Sequence, residues 1–248
     1  MTENFLTRPF FAFGLLFALG SSALGSITFS DDFSSGTLNS NLQQSSSGAY
    51  SIANGVIQRS GGGSQSVRTS NSNYTDFTYE LTTVFPTSGF DVVHIGVGQG
   101  TPDTVGSMYL RYHTPGYANG RVDVRFRNGA GVETLTQTGL LGLTQFNAPV
   151  RSRIARVGDL LTFEVDQNFN GTFVADASTS FDLSLAQFQQ IRTALDNQSS
   201  LYFSNAESTT TFDDLNIIGT TTAAVPEPGS LLAWGMMATV LLPRRKRS

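Results

Sequence analysis

The chain has 248 residues, 39 % of them apolar and only 14 % charged, with no cysteine and a formal charge of −4. The length suits one domain plus processing segments, and the missing cysteines exclude disulfides, thiol catalysis and cysteine-ligated metals. Between Ser26 and Ala224, ten arginines stand against seventeen aspartates and glutamates, a balance of −7 that argues against the basic face nucleic-acid binding requires.

Met1–Gly25 has the layout of a secretory signal peptide. Arg8 precedes the apolar run Pro9–Leu19, and Ala23 and Gly25 take the −3 and −1 places of a cut before Ser26. The competing reading is an uncleaved anchor, for which the apolar run is short.

The body, residues 26–219, reads as antiparallel strands. The stretch 39–68 is rich in Ser, Gly and Gln, with Tyr50, Ile52, Val56 and Ile57 as its apolar anchors, and predicts a short strand or two between loops. Phe77–Phe85 alternates, with Phe77, Tyr79, Leu81 and Thr83 on one face. Phe90–Val97 is more continuously apolar, and Met108–Tyr112 alternates again. In Arg121–Arg127, Val122, Val124 and Phe126 point inward while Arg121, Asp123, Arg125 and Arg127 point outward. Leu160–Asp166, Ser200–Asn205 and Thr211–Ile218 complete the set, with Gly, Asn and Pro breaks between them. Only Asp182–Asn197 is helical in period. Leu185, Phe188, Ile191 and Leu195 recur at three- and four-residue steps, and Asp182 or Ser184 is placed to cap the start. The expected fold is an all-β, antiparallel two-sheet sandwich with one short helix.

Three segments of the body, "FSDDFSSGTLNSNL", "RIARVGDLLTFEVDQNFNG" and "FDDLNI", resemble the concanavalin A-like lectin/glucanase jelly rolls. The resemblance implies that the first and last strands pair as neighbours, and it bears on fold more than on activity.

Residues 220–230 form a linker containing Pro226-Glu227-Pro228, and residues 231–248 hold an apolar segment, Leu231–Leu242, followed by Pro243, Arg244, Arg245, Lys246 and Arg247. The prolines favour an extended backbone, and the basic cluster retains its side of a membrane on the cytoplasmic face. This order of parts resembles the PEP-CTERM sorting signal of bacterial surface proteins. The resemblance implies a C-terminal transmembrane sorting helix in the inner membrane, recognition of Pro226, Glu227 and Pro228 by an exosortase-type membrane protease, and delivery of the body to the cell surface or extracellular matrix. A plain tail anchor with a proline hinge is the alternative.

Candidate sites in the body are few. Glu164 and Asp166 occupy the first two places of the E-x-D-x-E or E-x-D-x-x-E strand of jelly-roll glycoside hydrolases, but Asn168 and Phe169 stand where the partner acid belongs. Asp166–Gly171 opens like a calcium loop and supplies one carboxylate, so Asn170-Gly171 reads instead as a hairpin turn. Pairing of the end strands gathers Asp31, Asp32, Asp213 and Asp214. These either hold a structural calcium, the one cofactor the sequence suggests, or divide between turn caps and solvated groups. Tyr109, Arg111, Tyr112 and Tyr117 are the candidate platform for a glycan. His94 and His113, the only histidines, read as structural. The expected function is that of an exported, non-catalytic surface or matrix protein, with an extracellular polysaccharide as ligand. The alternatives are a polysaccharide-cleaving glycoside hydrolase and a purely structural domain.

Overall fold

Period-two alternation builds two sheets that bury one face of each strand. The computed structural model describes residues 24–222 apart from 61–64, 71–72, 99–104, 117–119, 129–131, 198 and 208. In chain order the strands are β1 (Leu24–Asp31), β2 (Leu42–Gln44), β3 (Tyr50–Ala53), β4 (Val56–Arg59), β5 (Gln65–Thr69), β6 (Tyr74–Val84), β7 (Val92–Gly98) and β8 (Ser107–His113). They continue with β9 (Arg121–Arg127), β10 (Glu133–Gly142), β11 (Pro149–Val157), β12 (Leu160–Asp166), β13 (Ala177–Asp182), β14 (Ser200–Asn205) and β15 (Thr211–Thr222). One sheet runs β13-β12-β11-β6-β15-β4-β3, with β1 beside β4 on the same flank of β15. The other runs β10-β9-β8-β7-β14-β5-β2. All pairs are antiparallel, as the sequence reading expects.

The inward residues are the alternating apolar ones. Phe77, Tyr79, Leu81 and Thr83 of β6 are buried, as are Val122, Val124 and Phe126 of β9 and Leu161, Phe163 and Val165 of β12. Truncating a ring of this kind to Ala typically costs about 3–5 kcal/mol. Tyr112 crosses the core to hydrogen-bond Ser152 of the other sheet at 2.6 Å.

The helical stretch is a 3₁₀ turn, Ala186–Phe188, running into α1 (Gln189–Asn197). Phe188, Ile191, Ala194 and Leu195 face the core, whereas Leu185 is exposed and precedes the helical turns. The residue preceding the 3₁₀ turn makes no side-chain cap; Asp182 instead accepts the Ser184 N–H. The buried Arg156 of β11 ties α1 to the sheet, reaching Asp196 at 2.6 Å and the Tyr74 carbonyl at 2.8 Å.

Four short strands, β2–β5, occupy the stretch read as a strand or two. Their apolar anchors are sparse, but β3 and β4 are joined at Asn54-Gly55 with φ 55 and 75, the left-handed pair a tight hairpin favours. β1 and β15 pair as the jelly-roll resemblance implies, from Leu24↔Thr222 to Asp31↔Leu215. Leu24 and Gly25, on the leader side of the expected cut, belong to this ladder.

Candidate functional site

The far end of the β1–β15 pair is shaped by a bulge. Asp213 lies opposite Thr82 and Asn216 opposite Glu80, so β15 carries one residue more than β6 over this stretch. Asp214 absorbs it with φ 44, a conformation Asp tolerates better than most residues. The bulge aims the Asp214 carbonyl at Arg151 Nη1, 2.5 Å away.

A pocket of about 470 Å³ opens here. It is lined by Ser30, Asp31, Asp32, Arg151, Phe169, Asp214, Leu215 and Asn216. Three of the four predicted aspartates therefore share one cavity. The Asp31 carboxylate accepts the Phe33 N–H at 2.8 Å and the Asn39 N–H at 3.1 Å, one on each oxygen. Asp32 accepts from both the N–H and the hydroxyl of Ser34, which hold its carboxyl below the usual range. Asp213 accepts the Asp214 N–H. Burial, with the charges of Asp214 and Asp32, pushes its carboxyl up. These carboxylates hold turns, and among the described residues no group of three or more His, Asp or Glu is arranged to hold a metal ion.

One wall of the pocket comes from the β12–β13 connection, and here the sequence reading needs correction. Asn170-Gly171 is not a two-residue hairpin turn; the loop runs from Gln167 to Asp176. Asp166 organises it. Its buried carboxylate accepts the Asn168 N–H at 3.0 Å and the Val174 N–H at 2.8 Å, so it is not solvent-facing. The loop folds back over the outer face of the eight-stranded sheet. Phe173 lies under the Arg153 guanidinium, 3.7 Å from ring centroid to Cζ, and Phe169 sits 5.4 Å from that of Arg151. Glu80 bridges the two arginines, at 3.2 Å from Arg151 and 2.6 Å from Arg153, and Glu164 is 3.5 Å from Arg153. Burial works against the Glu80 charge, but these guanidiniums win and hold its carboxyl below the usual range. Sequence reasoning missed Phe169 and Phe173. The available signal was two phenylalanines in an otherwise polar loop, a place where rings are rarely left bare.

The predicted tyrosine platform does not form as a surface. Residues 109 and 112 are an odd number of steps apart, so their side chains leave opposite faces of β8. Tyr112 lies in the core. Tyr109 points outward but is 1 % exposed, its hydroxyl donating to Glu133 at 3.1 Å, its ring edge-on to His94 at 5.0 Å. Gly96 explains the enclosure: a Cβ there would come within 2.5 Å of the Tyr109 Cβ and 2.7 Å of the Tyr202 hydroxyl, so the two rings close over it. Arg111 donates to both Glu133 oxygens at 3.0 and 3.1 Å. Tyr117 lies outside the described residues, as do Pro226, Glu227, Pro228, Arg244, Arg245, Lys246 and Arg247 with their apolar segment. Among the described residues no helix is long and apolar enough to cross a membrane.

No protein-family model matches the chain, and no curated protein sequence does. Solved structures do. The CBM2 module of the Lactobacillus casei BL23 phage J-1 evolved Dit aligns at 13 % identity and TM-score 0.55, over 82 % of this chain and 99 % of that one. A lectin from Bauhinia forficata in complex with GalNAc aligns at 12 % and 0.54, over 80 % and 99 %. A mutant of the GH43 protein BlXynB from Bacillus licheniformis aligns at 13 % and 0.55, over 77 % of this chain and 39 % of that one. At such identities the likeness shows the fold alone, and that fold is the lectin-like jelly roll.

Proposed function

We propose that this chain is an exported, non-catalytic glycan-binding protein whose ligand enters the pocket between β1, β15 and the β12–β13 loop. The lining carries the reading. Asp31, Asp32 and Asp214 supply acceptors, Asn216 and Ser30 supply adaptable polar groups, Arg151 supplies fixed donors, and Phe169 offers an aromatic ring beside them. A sugar presents hydroxyls around its rim and C–H groups on its faces, and such a lining meets both. Structural similarity to a lectin and a carbohydrate-binding module supports the same class.

The hydrolase alternative has less to stand on. Retaining or inverting cleavage requires one carboxylic acid held protonated near neutral pH. Glu80 and Glu164, both on the outer sheet face, are each engaged by Arg153, and Glu80 is pushed the wrong way for an acid.

The two termini supply the delivery route in this proposal: a leader over residues 1–25, and a sorting signal in which an exosortase-type protease recognises Pro226, Glu227 and Pro228 before releasing the body to the surface or matrix. Affinity electrophoresis of the full chain through neutral polysaccharides tests the pocket. Retardation by at least one polymer, lost in Phe169→Ala and without release of reducing sugar, is the expected result. Reducing-sugar release abolished by Glu164→Ala reverses the ranking in favour of the hydrolase. Intact mass of the protein recovered from its own envelope tests the route, which fails if residues 244–248 are retained.

A further inference from the structure

The outward face of the seven-stranded sheet carries charge of the opposite sign to the body as a whole. Arg111 lies opposite Asp123, Tyr109 opposite Arg125, and His113 opposite Arg121, all on the solvent side of β8 and β9. Two carboxylates serve three guanidiniums here. Glu133 takes the two bonds from Arg111 and lies 3.8 Å from Arg125 Nε. Asp123, fully buried, takes Arg125 Nη2 at 2.8 Å, His113 Nε2 at 3.2 Å and the Gly139 N–H at 2.8 Å. The Gly139 bond exists because β10 loses register with β9 between Gln137 and Leu141.

Both carboxylates are engaged, and the three guanidiniums outnumber them. The Nε atoms of Arg111, Arg121 and Arg125 are buried and donate no hydrogen bond among the described residues. Arg121 Nε lies 3.2 Å from Asp123, but off line for a hydrogen bond. Buried donors left unpaired are rare enough to need an explanation. The side chains are 19 %, 38 % and 15 % exposed for Arg111, Arg121 and Arg125, so with Nε buried each still presents part of its length to solvent. A planar guanidinium with spare donors pairs best with a carboxylate or sulfate. The imidazoles add no charge: burial, reinforced by Arg111, holds His94 down at about 3 and His113 at about 4.

We propose that this β8–β9–β10 face binds the carboxylate or sulfate groups of an anionic polysaccharide through Arg111, Arg121 and Arg125. The site is separate from the pocket on the other sheet and does not depend on it. The full chain, titrated with polygalacturonate, should bind at least about tenfold more tightly than with its methyl ester, a difference of the size expected for charge-assisted hydrogen bonds. Dextran sulfate beside neutral dextran separates sulfate from carboxylate recognition, and preference for either charged polymer supports the site. Binding should weaken steeply toward 1 M salt, where the screening length is about 3 Å. Arg121→Gln, the most exposed of the three, should lower affinity by about tenfold with an unchanged melting temperature. Equal affinity for charged and uncharged polymers overturns the proposal. So does wild-type affinity in folded Arg121→Gln and Arg125→Gln chains, or duplex DNA bound as tightly as the polysaccharides. Should both variants fail to fold, the comparison of acid with ester on the unmodified chain decides.

Discussion

Asp213 is the residue whose ionisation most directly reports what the corner is for. Its carboxyl is pushed above the usual value by burial and by Asp214 and Asp32, so folding disfavours its charged form. A group with a raised folded pKa contributes stability below its unfolded pKa, near 3.9, and loses it as the pH rises through the folded value. At neutral pH the charge is therefore a burden, and Asp213→Asn should raise the melting temperature at pH 7, with the gain shrinking below about pH 4. A calcium ion held among the aspartates would invert the sign, and the same substitution would then lower the melting temperature in calcium buffer. His94 titrates in the opposite sense. Folding lowers it from 6.5 to about 3, so its contribution is complete above 6.5 and falls away as acid is added. Melting temperatures from pH 6.5 to about 5.5, above the range where the carboxylates of the unfolded chain begin to protonate, should decline for the native chain and less steeply for His94→Gln, with His113 supplying the slope that remains.

The β12–β13 loop shows where the sequence was readable and where it was not. β9 and β12 occur over the residues expected, because strict alternation with a continuous apolar face leaves one register, whereas β14, buried along its whole length, is marked by the short apolar run 201–203. β10 and β13 carry no strand signal in the sequence reading, and β11 enters it only as the first arm of the hairpin that the jelly-roll resemblance implies over "RIARVGDLLTFEVDQNFNG". β11 alternates Val150, Ser152, Ile154 and Arg156 inward, two of them polar, and β13 is a half-exposed edge of Ser and Thr. The loop between β12 and β13 was mistaken for a turn because Asn-Gly is a strong local signal, whereas Asp166 and the two arginines that fix the longer path are distant in sequence or look like surface residues. Pocket formation depends on the same distant pairing, so the aspartates were legible as a group while Arg151 and Phe169 were not. Phe173 should be structural. Stacking on Arg153 is worth about 0.5–2 kcal/mol, depending on how far the pair is desolvated, and urea unfolding of Phe173→Ala should show a loss in that range. A loss below experimental error would mean that the loop is held by the Asp166 and Asp176 hydrogen bonds alone.

At the scale of the whole body, β1 sets the polarity. Leu24 pairs with Thr222, so both ends of the described chain leave the sandwich side by side, at strand spacing of about 4.8 Å. Asp31 closes the other end of the same strand. Seven residue steps separate it from Leu24, about 23 Å at 3.3 Å per step, and the pocket opens at that far end. A tether attached at either terminus therefore joins the body at the end away from the ligand. Loss of the leader by a cut before Ser26 removes only two pairs, Leu24↔Thr222 and Gly25↔Thr221, and leaves Asp31 in register with Leu215. Neither processing event in the proposed route needs to open, close or reposition the pocket. The body held on a bead through its C-terminus should accordingly bind the same polysaccharide with the affinity of the free chain. A tenfold drop on tethering would place the ligand at the terminal end of the sandwich and dissociate it from Asp31, Arg151 and Phe169.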